Sequence, residues 1–340
     1  MRRRTGRWTA CLLVCVMMLL QGCGSKGNGS AGGQGGGAGE APAVSQEEGG
    51  EGERTMGRYL EKEMTLPDDV AAVGYPTLCL QKLENGELML IEQTAGVYVS
   101  ADNGGSWKRK DAPWLRELRE RYISSMAIGP DGSVALVYIS SSEEGEENEY
   151  NPVGLYVDPE GNQTTVEVPG GEKIYLFSFS GDGRLYASTM EHKMYELDPA
   201  GGEAKRLYEA EGMSESVCFT DSYMIDITSR GLLFYDRANE MTAEGDKVLQ
   251  DFIMENVGDE IGANSGSYSV IMVPGEDRDV VCFACESGLY RHVIGGTAVE
   301  QVMAGSLSSL GDPMMSLAGM AVLPDNEFAI LYTNGKMYRY

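Results

Sequence analysis

The chain has 340 residues, with 27 basic and 52 acidic side chains and a formal net charge of -25. This acidity argues against nucleic acid as a partner, because phosphate binding requires clustered Lys and Arg. The sequence contains two histidines, His192 and His292, too few for a histidine-rich metal site. With 42% hydrophobic residues, the chain can bury a substantial core.

Residues 1–22 have the features of an export signal. Several arginines precede an apolar run from Ala10 to Leu20, which is too short to span a bilayer comfortably. The run ends in Leu20-Gln21-Gly22-Cys23, which resembles the lipobox of bacterial lipoproteins. This resemblance implies cleavage before Cys23 and a diacylglycerol on its sulfur. We therefore expect a lipid anchor on the extracytoplasmic face of the cell membrane, in a Gram-positive bacterium.

Residues 23–55 follow as the predicted tether. They consist mostly of Gly, Ser, Ala and Glu. Such a composition buries too little apolar surface to offset the entropy lost on ordering, so it predicts a flexible linker. An acidic chain is repelled by anionic lipid, so the acyl chains and not electrostatics would hold it at the membrane.

Residues 56–340 are predicted to form one domain built from a repeated unit. Each unit has an apolar strand, a turn rich in Gly, Asp and Asn, a second apolar strand, and a segment of Gly, an aliphatic residue and an aromatic residue. In the first copy these parts are Leu78–Gly86, Leu88–Ile91 and Gly96–Val99. The six copies begin at Leu78, Met126, Leu176, Ser216, Val270 and Met320.

The spacing of these copies predicts an all-β propeller of four-stranded blades. The sixth copy has room for three strands before Tyr340. An alternating segment, Arg58–Leu66, can supply the fourth strand and close the ring, which removes an exposed sheet edge. We therefore predict six blades closed by an N-terminal strand. Seven blades is the alternative, with degenerate strands between Asp251 and Ser267.

A loop motif follows the first Gly-Val-Tyr segment. Ser100, Asp102, Gly104 and Trp107 fit the pattern Ser-x-Asp-x-Gly-x-x-Trp. It resembles the Asp-box of bacterial neuraminidase repeats and related propellers. The carboxylate can accept backbone N–H bonds while glycine supplies a positive φ, so the motif is expected to stabilise a turn between the third and fourth strands. Its expected role is structural.

After this loop, Pro113–Tyr122 predicts a short helical connector. Trp114 and Tyr122 could line a sugar-binding surface, but packing onto the propeller is the favoured prediction. The folded region as a whole resembles the YVTN, WD-repeat and Asp-box propellers of exported bacterial proteins. With its lipobox and tether it also resembles the N-terminal half of some large solute-binding lipoproteins of Gram-positive bacteria. The transporter-type binding domain of those proteins does not follow before Tyr340.

Candidate catalytic and metal-binding residues are sparse in the sequence. The motif that carries the first sialidase arginine is missing, and Arg184, Arg230 and Arg278 are predicted to lie at turns. Cys282 and Cys285 stand three apart in an apolar strand, so they should face opposite ways and not share a zinc ion. Cys79 and Cys218 fall in core-like strands, and the sequence leaves the disulfide state of all four open.

The sequence therefore predicts a monomeric, non-catalytic binding or scaffold module without a cofactor or metal. It would attach to the membrane through its N-terminal lipid and engage a protein, peptide or glycan through a propeller face. An accessory role beside an ABC-type solute uptake system is implied by the lipoprotein resemblance. The alternative is an Asp-box glycoside hydrolase of the sialidase type.

Overall fold

The computed structural model describes residues 62–71, 78–140, 151–257, 270–285, 288–304, 317–332 and 335–340. Within these ranges 24 strands form six antiparallel sheets of four strands each. The prediction of a six-bladed propeller is confirmed. The seven-blade alternative places strands between Asp251 and Ser267, but residues 251–257 belong to a helix, and residues 258–267 lie outside the described residues.

Along the chain, the strands run from the innermost to the outermost position of each blade. Blade one contains β2 (Leu78–Lys82), β3 (Leu88–Glu92), β4 (Gly96–Ser100) and β5 (Lys108–Lys110). Blade two contains β6 (Tyr122–Ile128), β7 (Val134–Ile139), β8 (Pro152–Val157) and β9 (Gln163–Val166). Blade three contains β10 (Ile174–Phe179), β11 (Leu185–Thr189), β12 (Lys193–Leu197) and β13 (Lys205–Glu209).

The remaining blades repeat this order. Blade four contains β14 (Ser214–Phe219), β15 (Tyr223–Thr228), β16 (Gly231–Asp236) and β17 (Met241–Ala243). Blade five contains β18 (Val270–Pro274), β19 (Val280–Cys285), β20 (Gly288–Val293) and β21 (Glu300–Ala304). Blade six contains β22 (Leu317–Val322), β23 (Phe328–Tyr332), β24 (Met337–Arg339) and the N-terminal β1 (Lys62–Met64).

Strand β1 closes the ring from within the predicted segment Arg58–Leu66. It pairs antiparallel with β24, with Glu63 opposite Tyr338 and Met64 opposite Met337. The last blade therefore combines both ends of the described chain. This pairing covers the edge that three strands alone would leave exposed.

The core is divided among the spaces between neighbouring blades. Six clusters of buried apolar side chains occur in the described part of the chain, one at each interface between blades. Both faces of a second strand are consequently buried, as every residue of β3, β11, β19 and β23 shows. Outer strands are exposed instead, as in β5 and β9. This is the reason that the second strands read as continuous apolar runs.

Three α-helices of the described residues lie in connections between blades. They are α1 (Asp68–Ala71), α2 (Pro113–Glu117) and α3 (Lys247–Val257). Each leads from an outer strand to the innermost strand of the next blade, so all three emerge at the same end of the blades. None of the helices in the described ranges combines the length and apolar character required to cross a membrane.

A buried polar network joins blades three and four. Asp226 on β15 is fully buried, and its Oδ2 accepts hydrogen bonds from the Tyr208 hydroxyl at 3.0 Å and the Ser214 hydroxyl at 2.9 Å. Ser188 in turn donates to Ser214 at 2.9 Å. The other oxygen, Oδ1, has no hydrogen-bond partner in the described part of the chain. Burial raises the pKa of this carboxyl to about 7.

This raised pKa predicts that stability falls as the pH rises. Between about pH 4 and 7 the folded chain holds a proton on Asp226 that the unfolded chain releases. The free energy of unfolding therefore falls by up to about 1.4 kcal/mol for each pH unit in this range. Asp226→Asn should retain both acceptor bonds and abolish this dependence. Urea titrations should show that the free energy of unfolding changes between pH 5 and pH 8 by about 2.7 kcal/mol less in the variant than in the wild type.

The exposed Glu160 provides the control, since Glu160→Gln should leave the difference between pH 5 and pH 8 unchanged. Equal pH dependence in wild type and Asp226→Asn would show that Asp226 is ionised in the folded protein at both values.

Candidate functional site

The predicted Asp-box residues form a closed hydrogen-bonded loop between β4 and β5. Ser100 donates to Asp102 Oδ1 at 2.7 Å and accepts from the Gly104 N–H at 2.7 Å. Ser106 donates to Asp102 through its N–H at 2.8 Å and through its hydroxyl at 2.7 Å. The Ser106 and Ser100 bonds stabilise the carboxylate and lower the pKa of Asp102 to about 2. All of these acceptors are therefore used within the turn.

The same loop lies against the strands that close the ring. A Cβ atom at Gly104, where φ is +84°, would collide with Met64 Cε of β1 and lie 3.2 Å from Met337 Cε of β24. Trp107 packs, partly buried, on the cluster between blades six and one. This geometry gives the loop a part in ring closure, at the end of blade one opposite the connections between blades.

Gly104→Ala should therefore destabilise the protein through both the positive φ and the contact with Met64. We expect a loss of about 1–3 kcal/mol in the free energy of unfolding, measured by denaturant titration. Gly86→Ala is the matched control, because Gly86 has a φ of +85° and a Cβ there meets nothing within 4 Å. Equal losses in both variants would contradict a role for this loop in closing the ring.

The three arginines considered for a sialidase site do not converge. Arg184 and Arg278 lie in turns between first and second strands, whereas Arg230 lies between a second and a third strand. Successive turns of an antiparallel sheet emerge at opposite ends, so Arg230 is at the other end from the first two. Arg184 also pairs with Asp182 at 3.1 Å. These three arginines therefore do not form a common binding site for a substrate carboxylate.

The cysteines lie in strands. Cys282 packs in the cluster between blades five and six and Cys285 in the cluster between blades four and five, which places them on opposite faces of β19. Cys79, Cys218 and Cys282 are not in disulfides. Burial raises the pKa of the Cys79 thiol to about 12. Among the described residues, no three His, Cys, Asp or Glu side chains are grouped to hold a metal ion.

One histidine belongs to a buried pair that sequence spacing did not reveal. His292 Nε2 lies 2.8 Å from Asp246 Oδ2, and the two residues are 46 positions apart. Asp246 also accepts from the N–H groups of Leu249 and Gly295, at 2.9 and 2.6 Å. Burial opposes ionisation, but these hydrogen bonds outweigh it and lower the pKa of Asp246. The pair caps α3 and fastens it to blade five.

A basic cleft lies beside the connector after blade one. Its volume is about 490 Å³, at the end of the blade where the β3–β4 turn and the connector with α2 meet. The charged residues of its lining are Arg109, Lys110, Asp111, Arg116 and Arg119. Four cations against one carboxylate is a local excess of positive charge on a chain of net charge -25. We call this feature the basic cleft.

Two buried polar side chains of the β3–β4 turn shape the basic cleft. Gln93 donates to the carbonyls of Leu118 and Arg121, at 2.8 and 2.6 Å, and so fixes the connector. Glu92 Oε2 accepts from the N–H and the hydroxyl of Thr94, both at 2.8 Å, which fixes the turn itself. Loss of the Gln93 bonds would leave buried polar groups unpaired, which is costly, so Gln93 holds the turn and the connector together.

The fixed turn also orients the first cation. The Ala95 carbonyl accepts from Arg109 Nη2 at 2.6 Å, and Arg109 Nη1 lies 3.7 Å from Asp69 on α1. Tyr98 donates to the same Asp69 carboxylate, and burial raises the pKa of this tyrosine well above its ordinary value. These contacts fix the orientation of the Arg109 guanidinium in the absence of a ligand.

The connector forms the opposite wall. Helix α2 lies within the predicted segment Pro113–Tyr122, and its Trp114 is 6% exposed in the cluster between blades one and two. The favoured prediction, packing of Trp114 onto the propeller, agrees with this burial. Tyr122 is 69% exposed at the start of β6, so the prediction of packing is wrong for this residue.

The cations of the basic cleft are not among the candidate binding residues predicted from the sequence. Residues 108–121 contain six Lys or Arg and three Asp or Glu, which is the reverse of the chain's overall balance. A local charge count would have found this segment. Their convergence around one cleft depends on the β3–β4 turn, which lies earlier in the chain than the cations.

No protein-family model matches the chain, and no curated protein matches it. Among solved structures, YCF48 bound to D1 peptide is similar at 11% identity, with 84% of this chain and 97% of that chain covered and a TM-score of 0.47. YCF48 from Cyanidioschyzon merolae is similar at 15% identity, with 82% of this chain and 98% of that chain covered and a TM-score of 0.48.

A third similar structure is the extracellular domain of a protein from B. thetaiotaomicron named as a hybrid two component system. It is 8% identical, with a TM-score of 0.46. The similarity covers 82% of this chain and 39% of that chain. At these identities and TM-scores, the similarities support no function for this chain. The fold assignment rests on its own strand pairing.

Proposed function

We propose that the chain is a lipid-anchored, non-catalytic binding or scaffold module on the extracytoplasmic face of the membrane. The observation that carries the binding role is the basic cleft, where four cations line one cavity on a strongly acidic chain. Opposite charge at a contact surface favours association and selects partners. The anchor is supported by the lipobox-like ending at Cys23, which lies outside the described residues.

The geometry favours binding over the glycoside hydrolase alternative. Ser100 and Asp102 satisfy each other within their turn, and Arg184 and Arg230 lie at opposite ends of their blades. The basic cleft contains one carboxylate, Asp111, whereas glycoside hydrolysis ordinarily requires two. An accessory role beside an ABC-type uptake system remains a prediction from the lipoprotein resemblance.

The anchor is tested by substituting the proposed lipid-bearing residue. Cys23→Ala should abolish incorporation of an alkyne-tagged palmitate and release the protein from the membrane fraction, because no thiol remains at the cleavage site. Cys15→Ala is the control, since Cys15 lies in the segment removed by cleavage and its loss should leave labelling intact. Labelling retained in Cys23→Ala would contradict the lipoprotein proposal.

The binding role is tested in intact cells with a photoreactive amino acid, p-benzoylphenylalanine. Placed at Lys110 in the basic cleft, it should give a light-dependent adduct of defined mass. Placed at Lys205 on the outer strand of blade three, it should give none. Adding Arg119→Glu should suppress the Lys110 adduct, because it reverses a charge in the cleft. No adduct, or an adduct from Lys205 alone, would contradict a partner at this cleft.

A further inference from the structure

The basic cleft differs from other charged regions in how many of its cations are available. Arg184, Arg278 and Arg291 elsewhere on the ring each lie within 4 Å of two carboxylates. Lys110 and Arg119, by contrast, make no hydrogen bond or ion pair with another residue in the described part of the chain. Arg109 lies near Asp69 and Arg116 near Asp111, so the local positive charge is only partly cancelled within the described fold.

The arginines also retain unused hydrogen-bond donors. A guanidinium has five N–H groups, of which Arg109 directs one to the Ala95 carbonyl and Arg116 directs one to Asp111. Three guanidinium groups face a single cleft of about 490 Å³. The planar donor pairs of arginine match the two oxygens of a carboxylate or phosphate.

Asp111 shows how the cleft holds a carboxylate. It belongs to the lining and forms an ion pair with Arg116 there. Both side chains are largely exposed, at 73% for Asp111 and 64% for Arg116. Exposed ion pairs contribute little stability because water screens them. A carboxylate from outside can therefore replace Asp111 at small cost.

We infer that the basic cleft receives an acidic segment of a partner protein, whose Asp or Glu carboxylates replace Asp111 on Arg116 and engage Arg109 and Arg119. This inference rests on the proposed binding function and names the chemistry of the partner. A segment with several carboxylates fits the four cations, because each added charge meets a further donor in the same cleft. Phosphate-bearing ligands are the competing outcome.

The test uses the full-length protein in detergent micelles and a fluorescein-labelled octapeptide of glutamate, followed by fluorescence anisotropy. A glutamine octapeptide of equal length measures binding that does not depend on carboxylates. We expect saturable binding of the glutamate peptide that weakens with added salt, since the contacts are solvent-exposed. The glutamine peptide should not bind.

Three variants locate the site. Arg116→Gln combined with Arg119→Gln should weaken the peptide affinity about tenfold or more. Lys205→Gln combined with Arg206→Gln removes the same charge from β13 and should change it less than about twofold. Asp111→Asn should strengthen binding about threefold, because it removes the internal competitor of the peptide on Arg116.

Several results would overturn the inference. Equal weakening by the two double variants would show attraction to net charge without a site. Weaker or unchanged binding in Asp111→Asn would exclude replacement of Asp111 by a ligand carboxylate. Displacement of the peptide by inorganic pyrophosphate at a tenfold lower concentration than by unlabelled peptide would assign the cleft to phosphate ligands.

The chain's own acidic tether is one further possible occupant. If neutralising Glu47, Glu48, Glu51 and Glu53 to glutamine strengthened peptide binding tenfold, the tether and not a partner would be the resident ligand. These outcomes are separable from failure of the proposed function. A light-dependent adduct at Lys110 without peptide binding would retain the binding module and reject only the acidic segment.

Discussion

Packing between blades is the interaction on which the structure depends. Each sheet is covered on both faces by its neighbours, so the core is divided into six clusters that lie between blades. Loss of one blade would expose the apolar faces of its two neighbours to water, which is unfavourable. Closure by β1 is therefore as important as any cluster. The Gly104 loop lies directly against the closing strands, Met64 and Met337 among them.

The same architecture explains where binding chemistry can be placed. The faces between blades are mostly filled by apolar packing, so exposed polar groups that could bind a partner lie mainly in the turns and connections. In blade one, Glu92 and Gln93 fix a turn and a connector at the same end of the sheet. The cations of the basic cleft thus stand on a rigid support. Asp246 serves a similar purpose for α3, where it caps the helix and contacts His292.

Much of the fold could be predicted because its signals are local. Apolar strands, glycine-containing turns such as the one at Gly86, and a repeat of similar length establish four-stranded blades. The closing strand could be placed because the last copy was one strand short. Elements outside the repeat are harder to predict from sequence. Helix α3 has no counterpart in the other blades, and the pattern of residues from Asp251 onward is also compatible with a strand.

The candidate site, unlike the fold, could not be predicted from the sequence. By itself, the amino-acid sequence favoured six blades over seven and placed the closing strand and the turns, since strand period and turn residues act over a few neighbouring residues. Tertiary structure alone decided that Arg109, Arg116 and Arg119 surround one cleft, that Arg184 and Arg230 are separated, and that Asp226 is buried beside Tyr208. These relations depend on how distant turns and neighbouring blades meet, because distance and burial, and not residue type alone, fix the charge and hydrogen bonding of a side chain.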